Sequence, residues 1–214
     1  MHVRSLTLAL APAEFEDEAA SAGNNIPALE AFGKLARKCT GLRILNLLDG
    51  HRPVLFKSLP ILPVELVNLR ALTISAASLR NEVLRKIAAN VASHLTHLTV
   101  VSSYEDFCTF DLRPFSSLTD LELRVEGVRW GRTKAGKYLK ALKIEERCPW
   151  LEDLRLALPD SNWYRTDLLE ESPAAVFIEP LRRANMDISI EVHTKGWTLV
   201  VKPGAKVEVS VSRP

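Results

Sequence analysis

The chain repeats itself, and no other feature narrows its fold as much. Six times the same short phrase recurs: an apolar anchor, two variable residues, a second anchor, one variable residue, a third anchor. It occurs as Val3-Leu6-Leu8, Leu42-Leu45-Leu47, Leu69-Leu72-Ile74, Leu95-Leu98-Val100, Leu118-Leu121-Leu123 and Leu151-Leu154-Leu156. Successive middle anchors lie 39, 27, 26, 23 and 33 residues apart. One such phrase means little, because any leucine-rich helix produces it. Six in series define a unit that cannot bury its own apolar face and must stack on its neighbours. Stacking predicts a parallel sheet with the anchors over one another. Side chains alternate along a strand, so the residues between the anchors are expected to point outward.

A second column supports the alignment. Cys39, Leu66, Ala92, Phe115 and Cys148 stand three residues before the first anchors. They are expected to be buried where each returning segment meets the next strand. Cys39 and Cys148 then read as small core residues, not as metal ligands or reactive thiols. The longer returning segments predict helices. Pro27–Cys39 places Leu29, Phe32, Leu35 and Ala36 on one face, with basic residues near its end. Ser78 caps a second, running to about Ser93 with Leu79, Val83, Leu84, Ile87 and Val91 inward. Thr133–Arg147 is a third, and Pro173–Ala184, interrupted by Pro180, a fourth. Glu14–Asn25 and Trp130-Gly131-Arg132 read as surface loops. Beyond Leu156 the pattern decays. Ile188 and Ile190 suit a seventh strand without an apolar first anchor. Trp197–Val201 and Val207–Ser212 then alternate around Lys202-Pro203-Gly204-Ala205, which predicts a hairpin that caps the last repeat.

Over most of its length the chain resembles the leucine-rich-repeat family. The resemblance implies an α/β fold: a curved solenoid with a parallel sheet on its concave face, helices and loops on its convex face and a C-terminal β-hairpin cap. Residues 1–214 would form one domain, with about six repeats in 1–160 and a degenerate repeat and cap in 161–214. One family column is missing. Three residues after the last anchor, where the family commonly has Asn or Cys, stand Ala11, Gly50, Ala77, Ser103, Glu126 and Pro159. An asparagine ladder is therefore not expected, and the convex side should be irregular. The phrases Lys38-Cys39-Thr40-Gly41-Leu42-Arg43-Ile44-Leu45-Asn46-Leu47 and Cys148-Pro149-Trp150-Leu151-Glu152-Asp153-Leu154-Arg155-Leu156 resemble the repeats of fungal and plant F-box proteins. In that family the repeats select a substrate for a cullin-type ubiquitin ligase. Leu62-Pro63-Val64-Glu65-Leu66 imitates the opening of an F-box but runs straight into Leu69, Leu72 and Ile74, and so fits the repeat phase. A cullin-ligase adaptor is implied as a partner only if an F-box is missing from this chain. Met1 just ahead of the first strand, with no cap before it, suits a truncated relative or an incomplete gene model.

Composition narrows the function. There are 28 basic and 26 acidic side chains, a net charge of +2, so there is no electrostatic case for nucleic acid or an anionic membrane. The three cysteines are odd in number and form no CxxC pair, which argues against a disulfide framework or zinc site and points to cytoplasm or nucleus. No apolar run approaches the roughly 20 residues that span a bilayer. Phosphate-loop, dinucleotide, HExxH and GxSxG motifs do not occur. His94 and His97, three apart at a strand start, should fall on opposite faces and not form a ligand pair. No catalytic residue, cofactor or metal is therefore expected. The expected function is a protein-interaction module that is not an enzyme. Its partner-binding residues on the concave face would be Asn46, Thr73, His97, Thr99, Asp120, Glu122, Arg124, Asp153 and Arg155. These columns are small, hydroxyl-bearing or apolar in the first four repeats and charged in the last two, which predicts a two-zone surface. The alternatives are an enzyme with a site on a rim loop such as Tyr104–Phe110, and a truncated repeat protein without a partner of its own.

Overall fold

In the computed structural model each repeat phrase becomes one strand, and the strands lie side by side in chain order. Residues 3–10, 26–49, 62–75, 81–102, 111–125, 144–157, 189–194, 197–201 and 208–210 are described. They form β1 (Ser5–Leu10), α1 (Ile26–Lys38), β2 (Ile44–Asp49), β3 (Ala71–Ser75), α2 (Asn81–Ala88), β4 (His97–Ser102), β5 (Asp120–Val125), α3 (Ile144–Arg147), β6 (Asp153–Ala157), β7 (Ser189–Thr194), β8 (Trp197–Val201) and β9 (Glu208–Ser210). All nine of these strands join one sheet in the order β1 to β9. β1 to β7 are parallel, and β8 and β9 are antiparallel. Parallel neighbours cannot be joined by a tight turn, so every repeat needs a returning segment. Helices α1, α2 and α3 lie in three of them.

The register stacks Leu6, Leu45, Leu72, Leu98, Leu121 and Leu154 in one row and Leu8, Leu47, Ile74, Val100, Leu123 and Leu156 in another. From β2 to β6 every one of these anchors is at most 4% exposed. Leu6 and Leu8 are only half-buried, because no described strand lies beyond β1. Burying such a side chain contributes about 1.5–3 kcal/mol, so the two rows dominate the core. The column before the first anchors is buried too: Cys39, Leu66, Phe115 and Cys148 fully, Ala92 nearly so. Its spacing has a backbone cause. The N–H groups of Leu42, Leu69, Leu118 and Leu151 donate to the carbonyls of Cys39, Leu66, Phe115 and Cys148 at 2.9–3.1 Å. Each pair closes a tight turn that carries two core side chains, three residues apart, into the strand.

Two further ladders tie the repeats together. The Arg4 carbonyl accepts the N–H groups of both Arg43 and Ile44, and the same double acceptance recurs at Arg43, Arg70, Thr96 and Thr119. A carbonyl has two lone pairs, so both are filled at each strand start. The second ladder runs through the residue directly before each first anchor. Asn68 Nδ2 donates to the Thr40 carbonyl at 2.8 Å, Ser117 Oγ to Ser93 at 2.7 Å and Trp150 Nε1 to Phe115 at 3.2 Å. His94 Nε2 lies 3.2 Å from the Leu66 carbonyl, which requires the proton on that nitrogen. These contacts satisfy turn carbonyls across neighbouring repeats. The family's ladder positions after the last anchor all lie outside the described residues. Here the polar ladder is found before the first.

Several expectations are corrected. Helix α1 matches its expected range within a residue, and Phe32 and Ala36 are buried, but Leu35 is 37% exposed. Phe32, Ala36 and Cys39 define the buried stripe, and Leu35 falls on its flank. The second helix ends at Ala88, short of Ser93. Val91 N–H bonds to the Ala88 carbonyl and His94 N–H to Val91, tightening the chain into a 3₁₀ turn over Ala92–His94. The seventh strand is real, but its register puts Ile190 beside Leu154 and Val192 beside Leu156, and Ile188 lies outside the described residues. The expected hairpin forms between β8 and β9. It extends the sheet sideways from β7. Residues 62–70 are turns leading into β3, as the repeat phase requires. Of the Thr133–Arg147 helix, only Ile144–Arg147 is described. Glu14–Asn25, Trp130–Arg132, Tyr104–Phe110, Pro173–Ala184, Ser78, Leu79 and the side chains of Leu29, Val83 and Ile87 lie outside the described residues.

Burial pushes the Cys148 thiol up to about 12 from 9.0, against the opposing charge of Arg147. The thiol form is the one the fold favours. Stability from this group is fully present below pH 9 and is lost as pH rises toward about 12, because the unfolded chain ionises first. In a Cys108→Ser background neither Cys39 nor Cys148 should react with a disulfide reagent at pH 8 until the chain is unfolded in urea. Labelling of the native protein at the rate of a free thiol would show that this column is not core.

Candidate functional site

The face opposite the anchors carries three outward rows. The register sets Ser5, Ile44, Ala71, His97, Asp120, Asp153 and Ser189 in the first, and Thr7, Asn46, Thr73, Thr99, Glu122, Arg155 and Glu191 in the second. Ala9, Leu48, Ser75, Val101, Arg124 and Ala157 form the third. All nine residues expected from the sequence therefore fall on these rows. Among the row residues whose burial is described, only Val101 is buried, at 8% exposure.

The charged end is the more structured. A groove of about 250 Å³ is lined by His97, Thr99, Asp120, Glu122, Asp153 and Arg155, with Leu98 and Leu121 beneath. Six of the expected residues thus come together, while Asn46 and Thr73 lie on the neutral strands β2 and β3. Arg124 holds Glu122, its Nε 2.7 Å from Oε1, and the Thr99 hydroxyl donates to the other carboxylate oxygen at 3.3 Å. The Thr119 hydroxyl lies 2.7 Å from Asp120 Oδ2, and His97 Nε2 lies 3.3 Å from the same oxygen. Thr96 Oγ1 lies 2.8 Å from His97 Nδ1. Arg155 reaches Glu191 on β7, at 3.9 Å. Asn46 donates to the Thr7 hydroxyl at 3.1 Å.

Three positioning residues escaped the sequence reading. Thr96 and Thr119 directly follow the first anchors Leu95 and Leu118, and their hydroxyls orient His97 and Asp120. Glu191 belongs to the degenerate repeat. Reading Ile190 and Val192 as anchors would have placed it beside Arg155.

Thr96, His97 and Asp120 stand in the order hydroxyl, imidazole, carboxylate, as in a nucleophilic relay. Other parts of such a centre are committed elsewhere. The N–H groups of Thr96 and His97 both donate to the Arg70 carbonyl at 2.9 Å, so neither faces a developing oxyanion. The Thr96 hydroxyl is also 3.2 Å from that carbonyl. His94 and His97 do part, His94 to the turn ladder and His97 to the outward row. Among the described residues no three His, Cys, Asp or Glu side chains cluster as a metal site would require. No described helix is long and apolar enough to cross a membrane.

No protein-family model matches this sequence, and neither a curated protein nor a solved structure matches it. The class defined by fold and site together is a mainly parallel sheet with helices in its returning segments and one open, side-chain-rich face.

Proposed function

We propose that this chain is a leucine-rich-repeat protein and that the open face of its sheet binds a protein partner. One observation carries the reading: three outward rows run in register over six strands, small, hydroxyl-bearing or apolar from β1 to β4 apart from His97, and charged on β5 and β6. A polar surface held by its own hydroxyls and ion pairs is preorganised, which lowers the entropic cost of association. In this reading the sheet curves with the open face inside. The chain acts as an intracellular recognition module of the kind found in the repeats of F-box proteins, and it performs no chemistry of its own. The charged zone orients the partner, and the neutral zone packs against it.

The test is charge reversal. Affinity capture from cells with mass spectrometry identifies partners of the wild-type chain. The triple variant Asp120→Lys, Glu122→Lys, Asp153→Lys should then lose at least tenfold in affinity, while circular dichroism stays unchanged. Unaltered affinity for every partner would remove the reading.

A further inference from the structure

We infer that the open face takes an extended peptide segment with one basic and one apolar side chain four or six positions apart. This deepens the proposed function and rests on it. The basic group enters the groove beside Asp153, and the apolar side chain lies on Ile44.

The first argument is charge. Around the groove Glu122 pairs with Arg124 and Arg155 with Glu191, while Asp120 Oδ2 has His97 Nε2 at 3.3 Å. Asp153 is different: among the described residues no side chain pairs with its carboxylate. Its neighbour in register is Asp120. Asp120 Oδ2 is already engaged by Thr119 and His97. Two carboxylates on adjacent strands, neither of them paired with an Arg or Lys among the described residues, complement a guanidinium or an ammonium group. The groove of about 250 Å³ takes one long side chain.

The second argument is apolar and independent of the first. Ile44 is 43% and Leu48 36% exposed, although both are on β2 in the middle of the neutral zone. Asn46 lies between them. Ile44 belongs to the same outward row as Asp120 and Asp153, with the small Ala71 beside it. A segment crossing the strands along this row therefore meets an apolar surface first and the unmatched carboxylate later. Strands are spaced about 4.8 Å apart, so β2 lies roughly 17 Å from the gap between β5 and β6. An extended chain covers that in about five residues, and its side chains share a face at even spacings. Four or six positions follow.

The experiment selects peptides from a displayed library of random twelve-residue segments on the immobilised full chain. Binding is then measured by fluorescence polarisation. The expected result is enrichment of Arg or Lys four or six positions from Leu, Ile or Phe. Affinity should fall at least tenfold with Asp153→Asn or Ile44→Ser, and weaken as salt rises. Enrichment of acidic peptides, or no enrichment, overturns the inference. Thr73→Arg blocks the face between the two contacts and separates this failure from that of the proposed function. Selected peptides that lose binding with Thr73→Arg but carry no basic residue overturn the inference alone. Selected peptides indifferent to Thr73→Arg overturn both.

Discussion

Leu72→Asp is expected to unfold the chain, whereas Thr73→Asp, one residue further on, should change stability by less than about 1 kcal/mol. Leu72 is 1% exposed and lies between Leu45 and Leu98 in the middle anchor row. A carboxylate there has no partner, and burying an unpaired charge costs at least several kcal/mol. Domains of this kind are stable by only about 5–15 kcal/mol. Protonation would spare some of that cost but leave a polar group among leucines. Thr73 is on the other side of the same strand, half exposed, between Asn46 and Thr99. Urea denaturation of both variants, followed by circular dichroism, checks the contrast. Equal effects would mean that the two faces of the sheet are not distinguished as described, and every outward row would lose its meaning.

Phe115→Ala should cost about 3–5 kcal/mol, while Phe115→Leu should cost less than about 1.5 kcal/mol. Phe115 is the largest fully buried side chain among the described residues and sits in the column before the first anchors. Truncation removes the ring from a site the surrounding leucines fill only in part, leaving a cavity. Its main chain is equally committed. The Phe115 carbonyl accepts Leu118 N–H at 3.1 Å and Trp150 Nε1 at 3.2 Å. Any shift of this turn is therefore felt in the next repeat as well. In a stacked array the loss should spread to the nearest neighbours first. Hydrogen exchange of the β5 and β6 amides should accelerate more than that of β2. A cost below about 1 kcal/mol would show that the column packs loosely.

Much of this architecture was readable before any coordinates, and much was not, for a physical reason. Leu45, Leu72, Leu98, Leu121 and Leu154 announced themselves because burial demands apolar residues, and stacking demands them at the same point of every unit. Phe115, Cys39 and Cys148 followed, because a turn of fixed length carries them to the core. Once the anchors are aligned, period-two alternation also fixes the outward rows. The degenerate strand was mis-phased because Ile188, Ile190 and Val192 alternate equally well in two registers, and only pairing with β6 chooses between them. The second helix was drawn too long, because apolar periodicity continues through a 3₁₀ turn at Val91.

Which residues face the core and which face outward follows from spacing along one chain. Tertiary structure decided which outward residues touch. Whether Arg124 pairs with Glu122, or Thr119 with Asp120, depends on the side-chain rotamers adopted along one segment, and whether Arg155 reaches Glu191 depends on the pairing of β6 with β7. That Asp153 has no side-chain partner among the described residues emerges only from that pairing, because it is what remains after its neighbours have found theirs.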